Sequence, residues 1–265
     1  EKRERWRTRC RDRPGVKPLC FAPIRNGLTF GSTSDTVLCH PEIGPARDED
    51  GLRTLLLLGP ARPPESGVFR QIFSLMPGHF AILTPEAFTD HTYWKLQAHE
   101  HEDDLPTTIE HPHTLICDAA RRQLVSDVPR GCFLSGGLDS SILSMLAAKD
   151  YAARGETLHT WSVDYRDNDK YFTKSIFQPN SDDSYIDQMV DFLGTHHHRV
   201  VLEPEALCAA LLPATDARAL PGMADVDSSL LLFCAAIQRG GTTRCLSGEC
   251  ARGVLGRLPV YHSEG

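Results

Sequence analysis

The chain has 265 residues, 41% hydrophobic and 8% aromatic, which suits one large or two small globular domains. Its formal net charge of −7 removes the electrostatic reason to expect nucleic acid or an anionic membrane as partner. The aliphatic run Leu55 to Leu58 is far too short to span a bilayer, and the basic start at residues 1–9 has no apolar stretch behind it, so no secretory signal is read there.

In chain order, the first part shows short alternating runs broken by turn residues. Residues 28–30, 80–83 and 93–96 are expected strands, and Asn26-Gly27 is a hairpin turn signal. Residues 51–58 are expected to form a helix ended by Gly59-Pro60, and residues 62–67 a loop. This grammar is that of an antiparallel α+β domain over residues 1–98. The polar stretch 99–108 reads as a linker to a second domain at 109–265.

Beyond the linker the grammar changes. Residues 110–127 are expected to be helical, with Leu115, Ile116, Ala119, Ala120 and Leu124 on one stripe, stopping before Pro129. Strands at 131–134, 158–164, 199–202 and 242–246 then alternate with helices at 139–149, 183–193, 205–212 and 228–237, with Gly194 as a C-cap. Such alternation predicts an α/β domain with a parallel sheet and helices on both faces, binding ligands at the carboxyl ends of its strands. The residues at those ends are the 134–137 turn, Val163-Asp164 and Ser247-Gly248-Glu249.

Nine cysteines, with no Cys-x-x-Cys pair, sit mostly in apolar segments, as Cys132, Cys234 and Cys245 do. That is the pattern of buried reduced thiols, and it points to the cytoplasm. His196-His197-His198 and His99-x-His101 are read as bland rather than metal-binding. Adjacent side chains diverge, and no carboxylate or thiol has ligand spacing nearby.

The run Leu134-Ser135-Gly136-Gly137-Leu138-Asp139-Ser140-Ser141 carries the chemistry. Two glycines let the backbone turn tightly and approach a ligand. The following helix N-terminus offers free N–H groups and a positive dipole end to an anion. Ser140 and Ser141 bring hydroxyls for phosphate oxygens. A carboxylate beside phosphates requires a cation between them, so Asp139 is read as a Mg²⁺ ligand. No Lys precedes the serines, which argues against ordinary γ-phosphoryl transfer.

This run resembles the Ser-Gly-Gly-x-Asp-Ser loop of the N-type ATP pyrophosphatases, which cleave ATP between the α and β phosphates. The likeness extends to the glutamine-hydrolysing asparagine synthetases of bacterial type. Arg11-Asp-Arg-Pro-Gly-Val-Lys-Pro-Leu19 and Met76-Pro-Gly-His79 resemble segments of their glutaminase domain. Leu124-Val-Ser-Asp-Val-Pro129, Tyr171-Phe172, Phe177 to Asp182, Phe192 to His196, Leu220 to Ser229 and Ser247 to Ala251 resemble their synthetase domain. The resemblance implies a synthetase domain of the adenine nucleotide alpha hydrolase-like (HUP) class. It implies a partial N-terminal-nucleophile glutaminase domain before it. It also implies asparagine formation from aspartate through β-aspartyl-AMP, with ammonia from glutamine. ATP and Mg²⁺ are the implied cofactors; ATP, aspartate, and glutamine or ammonia are the implied partners, and a homodimer stays open. By the same likeness Leu134, Val163, Ser247 and Gly248 contact the nucleotide, Ser135 to Ser141 hold the phosphates, and Glu249 lies near the reacting carboxylate. Asp225, Asp227, Ser228 and Ser229 fall where aspartate is handled, or else cap a helix.

The chain also departs from that family. It begins at Glu1, inside the glutaminase domain, without the N-terminal Cys nucleophile, whose place Cys10 cannot take. Ser32-Thr-Ser-Asp-Thr36 replaces an expected Ser-Glu-Ile-Lys-Ala. Arg252 stands where the family has a second Mg²⁺-binding Asp, and Gly253 replaces a Glu. The scramble over 252–260, followed by recovery at Tyr261-His262, reads as a short frame error. An internal fragment is therefore expected, itself inactive. A catalytically dead nucleotide-binding fragment and a related amide- or lactam-forming adenylating enzyme are the alternatives.

Overall fold

The computed structural model describes residues 7–47, 49–61, 63, 65–84, 86–171 and 182–249. Arg252, Gly253, Tyr261, His262 and the segment Phe177 to Ser181 lie outside the described residues. The chain forms two compact units, one of Glu1–Glu100 with Leu211–Asp227 and one of His101–Ala210 with Ser228–Gly265.

The first unit holds β1 (Arg7–Cys10), β2 (Cys20–Ile24), β3 (Gly27–Gly31), α1 (Ser34–Leu38), α2 (Glu49–Leu58), β4 (Phe73–Ser74), β5 (His79–Leu83) and β6 (Phe88–Thr92). They make two antiparallel three-stranded sheets, ordered β1-β5-β6 and β3-β2-β4. The Asn26-Gly27 hairpin is present, joining β2 to β3 with Ile24 opposite Gly27. Ala22, Val37, Phe69, Ile72 and Leu220 form the core. The expected strand at Tyr93 to Leu96 is a correction: the strand there is β6. The N–H groups of Tyr93 and Trp94 both turn onto the Gly78 carbonyl, at 2.9 and 3.1 Å, which ends the ladder. All five residues of β6 are exposed, so it lacks the alternation by which strands are recognised.

The second unit begins with α3 (Leu105–Gln123). This helix starts earlier and stops sooner than the apolar stripe predicts. Asp104 caps it by accepting the Thr107 N–H at 3.0 Å, and Pro106 occupies its first turn, where a missing N–H costs nothing. Cys117, Ala120 and Leu124 are its inward residues, whereas Leu115, Ile116 and Ala119 are exposed. There follow along the chain β7 (Arg130–Phe133), α4 (Leu138–Ala152), β8 (His159–Tyr165), α5 (Asn168–Tyr171), α6 (Asp183–Leu193), β9 (His196–Leu202), α7 (Pro204–Arg218), α8 (Ala224–Arg239) and β10 (Arg244–Leu246), of which α7 from Leu211 and α8 as far as Asp227 are counted with the first unit. The strands form one parallel sheet, ordered β10-β7-β8-β9. Gly194 ends α6 in the left-handed conformation, φ 60°.

Neighbouring strand residues face opposite ways. Cys132 packs with Leu124, Ala147, Tyr151 and Leu158 on the side of α3 and α4. Phe133 packs with Trp161, Phe233 and Ile237 on the side of α8. Both faces of the sheet are thus covered by helices, as the alternation predicts. Fully burying an apolar side chain of this size stabilises the fold by about 1.5–3 kcal/mol.

Other elements also differ from expectation. β9 starts at His196, three residues early, because His196, His197 and His198 pair with His159, Thr160 and Trp161. Helix α7 runs through Pro213, and α8 begins at Ala224. Cys20, Cys117 and Cys132 are buried, but Cys234 is exposed on α8. Burial pushes the Cys132 thiol up to about 12, so it is inert rather than nucleophilic. Among the described residues no helix is long and apolar enough to cross a membrane.

Candidate active site

The glycine loop lies between β7 and α4. Leu134, fully buried, extends β7 by donating its N–H to the Trp161 carbonyl at 2.9 Å. The chain then reverses at Gly136, with φ +74°, where a Cβ would stand 2.8 Å from the Asp182 carbonyl oxygen. Only glycine accepts both constraints. Gly137 is the N-cap of α4 and supplies no side-chain cap. The first-turn N–H groups of α4 therefore have no side-chain acceptor at the cap, the arrangement that suits an anion.

The hydroxyls brace the loop. The Ser140 Oγ accepts the Ser135 N–H at 3.2 Å, lies 3.1 Å from the Ser135 Oγ, and donates to the Gly137 carbonyl at 3.0 Å. Ser141 donates its hydroxyl to the same carbonyl at 2.8 Å. Ser140 is buried, with its oxygen turned into the loop. Asp139 stands in the first turn of α4, and Leu138 beside it is exposed.

The second strand end belongs to β10. Ser247 follows it, its Oγ accepting the Glu249 N–H at 3.1 Å. A Cβ on Gly248 would lie 3.0 Å from the Asp139 Cβ and 3.1 Å from the Ser140 nitrogen. Gly248 therefore touches the start of α4, bringing two of the expected strand ends together. Glu249 is exposed.

The third strand end is β8, and beside it opens a cavity of about 330 Å³. Leu134, Ser135 and Val163 line it, together with Ser162, Asp164 and Tyr165. The remaining candidates, Gly136 to Ser141 and Ser247 to Glu249, are not part of its wall. Sequence reasoning missed Tyr165 and Asn168, which also border the cavity. The Asp164 carboxylate accepts the Asn168 side-chain N–H at 3.1 Å and the Tyr165 N–H at 2.8 Å. Tyr165 donates its hydroxyl to Ser229 at 3.1 Å. The only signal for these two residues was their place after a parallel strand. Asp225 and Asp227 lie in the first turn of α8; Asp227 is ion-paired with Arg218 at 2.7 Å, and Ser228 and Ser229 are buried.

The asparagine synthase family matches residues 113–265, and the glutamine amidotransferase domain family matches residues 1–94. Glutamine-hydrolysing asparagine synthetase 3 of Bacillus subtilis is 42% identical over 254 residues, covering 96% of this chain and 41% of that protein. A putative glutamine-hydrolysing asparagine synthetase 2 of Methanocaldococcus jannaschii is 30% identical over 192 residues, covering 71% of this chain and 35% of that protein. The chain thus spans about two fifths or less of these relatives' lengths. An NAD+ synthetase structure from Burkholderia pseudomallei aligns with a TM-score of 0.30 at 15% identity, over 62% of this chain and 78% of that one. The glycine loop and the strand end that touches it fall inside a family match covering more than half of the sequence, and on that match the chain belongs to the asparagine synthase family.

Proposed function

We propose that the chain takes part in ATP-dependent synthesis of asparagine from aspartate. The observation that carries this is the contact of Gly248 with the uncapped start of α4, within the region matched to asparagine synthase. The matches at residues 1–94 and 113–265 support a division into an amidotransferase domain over 1–98, a linker at 99–108 and a synthetase domain over 109–265. The buried thiols Cys20, Cys117 and Cys132 suit a reducing compartment such as the cytoplasm. Association into a homodimer is part of the same reading.

In this proposal the nucleoside of ATP enters the cavity beside Val163, against the backbone of Leu134. The 135–141 loop holds the phosphates through the N–H groups of residues 136–140, those of Ser135 and Ser141 being bonded within the loop, with Ser247 and Gly248 closing the other side. A side-chain carboxylate oxygen of aspartate bonds to the α-phosphorus as the bond to the β-phosphate oxygen breaks. The products are β-aspartyl-AMP and pyrophosphate. The nitrogen of ammonia, taken from glutamine, then bonds to the acyl carbon, AMP leaves, and a proton is lost. Glu249 stands nearest the reacting carboxylate in this assignment, and Ser228 and Ser229 near the amino acid.

Mg²⁺ takes one or two carboxylates and completes its shell with phosphate oxygens and water. Asp139, one carboxylate at the mouth of an anion-binding helix end, fits that donor set. When bound, Mg²⁺ neutralises phosphate charge. The residues themselves orient: the loop amides fix the phosphates, and the Ser135–Ser140 brace keeps those amides from turning away.

Aspartate-dependent exchange of labelled pyrophosphate into ATP tests the proposal. Exchange that requires aspartate supports it and overturns the expectation of an inactive fragment. ATP binding with no exchange leaves a nucleotide-binding protein only and overturns it.

A further inference from the structure

We propose that the first unit carries a binding site for a small organic anion bearing an apolar group, formed by Arg7, Arg9 and Arg25. In β1 the alternation of a strand puts Arg7 and Arg9 on one face and Thr8 on the other. Their antiparallel partners on β5 are Leu83 and Ala81. Two guanidinium groups therefore rise over an apolar strand surface, where a sheet facing its own core would carry aliphatic residues. Arg25, in the turn between β2 and β3, joins them at the edge of the same cavity.

That cavity measures about 680 Å³, within the usual range of small-molecule sites. Ile24, Leu28, Phe30 and Phe88 supply apolar wall. The Arg9 guanidinium lies over the Phe30 ring, 3.9 Å from its centroid, which holds it in place. Its Nη1 donates to the Thr8 carbonyl at 2.9 Å, while its Nε is buried with no hydrogen-bond partner. Among the described residues no carboxylate pairs with the side chain of Arg7, Arg9 or Arg25. The nearby Glu42 accepts the backbone N–H of Arg25, at 2.8 Å, and not its guanidinium.

Three arginines line one partly apolar hollow, one of them with a buried donor unsatisfied, and an anion among them would satisfy that donor. Guanidinium forks take carboxylate or phosphate oxygens in pairs. The aromatic and aliphatic wall takes an attached hydrocarbon or aryl group. The ligand is thus an aryl or alkyl carboxylate or phosphate, and its site is separate from the glycine loop of the second unit.

Calorimetric titration of the 265-residue chain with phenyl phosphate, inorganic phosphate and phenol reads the site. Phenyl phosphate is expected to bind about tenfold or more tightly than either half-ligand, and more weakly as salt rises. Arg9→Gln and Arg25→Gln are each expected to weaken it by about fivefold or more. Arg53→Gln on α2 leaves it unchanged. If Arg9→Gln fails to fold, Arg25→Gln, exposed in a turn, still decides. No binding of phenyl phosphate at about 5 mM, or binding equal in the wild type and Arg25→Gln, overturns the proposal; equal binding places the anion at the glycine loop instead.

Discussion

Gly248 packs against Asp139: a Cβ added to Gly248 would stand 3.0 Å from the Cβ of Asp139. The chain after β10 and the first turn of α4 are more than a hundred residues apart in sequence, yet here even a methyl group would make its neighbours give way. The contact keeps backbone close to the helix end where an anion is expected.

Gly248→Val should therefore push the start of α4 aside and weaken ATP binding by about tenfold or more, because small displacements of such loops are costly. Gly248→Ala should act in the same direction and less. Fluorescent nucleotide titration measures both. Wild-type affinity in the valine variant would show that the contact does not shape the site.

Gly136→Ala forces a methyl into a positive-φ position 2.8 Å from the Asp182 carbonyl. The expected loss of stability is on the order of 1–3 kcal/mol. Urea unfolding followed by circular dichroism gives the value, and an unchanged midpoint contradicts the geometry.

Ser140→Ala leaves the Ser135 N–H without its acceptor inside the loop. Ser135 is exposed, so water can replace the acceptor and the cost should be that of one ordinary hydrogen bond, about 0.5–1.5 kcal/mol. Ser141→Ala removes one hydroxyl donor to Gly137 and should cost less. Comparing the two unfolding midpoints checks the order.

Asp139→Ala should weaken ATP binding in Mg²⁺ more than in a chelator, since only the metal needs the carboxylate. Equal losses in both buffers mean that Asp139 serves the helix end alone.

The histidines of β8 and β9 give the second unit a pH dependence. His159 Nδ1 and His198 Nε2 lie 2.8 Å apart, so one ring donates and the other accepts. Burial holds His198 below its ordinary value, and the charges of His159 and His196 add to this. Burial also lowers His197, as does Arg199, with Asp187 opposing; its ring nitrogens meet Thr160 and Ser162 at 3.0 Å. With folded values depressed, the unfolded chain takes up protons first as pH falls through about 6.5. Stability should be level above about pH 7.5 and fall towards about pH 5.5, and His198→Gln should flatten the slope. Urea midpoints across that range read it; a midpoint constant from neutral to acid would contradict the half-buried neutral rings.

Much of the second unit was legible in sequence because its signals are local. The glycine turn, the 183–193 helix with its Gly194 cap, and the strand–helix alternation each rest on residues within a few positions of one another. Of the candidate site residues, Leu134, Ser135 and Val163 share a cavity, and Gly136 to Ser141 and Ser247 to Glu249 lie outside its wall. The errors came where local pattern and packing disagree. Of the stripe expected on α3, Ala120 and Leu124 are buried, whereas Leu115, Ile116 and Ala119 are exposed and Cys117 takes an inward place, because the position of α4 selects the buried face. β6 was missed because a wholly exposed edge strand has no hydrophobic period to read.

By itself, then, the sequence determined that a parallel sheet would carry a glycine turn leading into a helix after one of its strands, since glycine conformation and helix capping are properties of a few adjacent residues. Only the tertiary structure decided that Gly248 would meet Asp139, that Ser140 would turn inward as a brace, and that Tyr165 and Asn168 would border the cavity. Those outcomes depend on strand order and on which helix face is buried, and both are settled by distant segments competing for the same space.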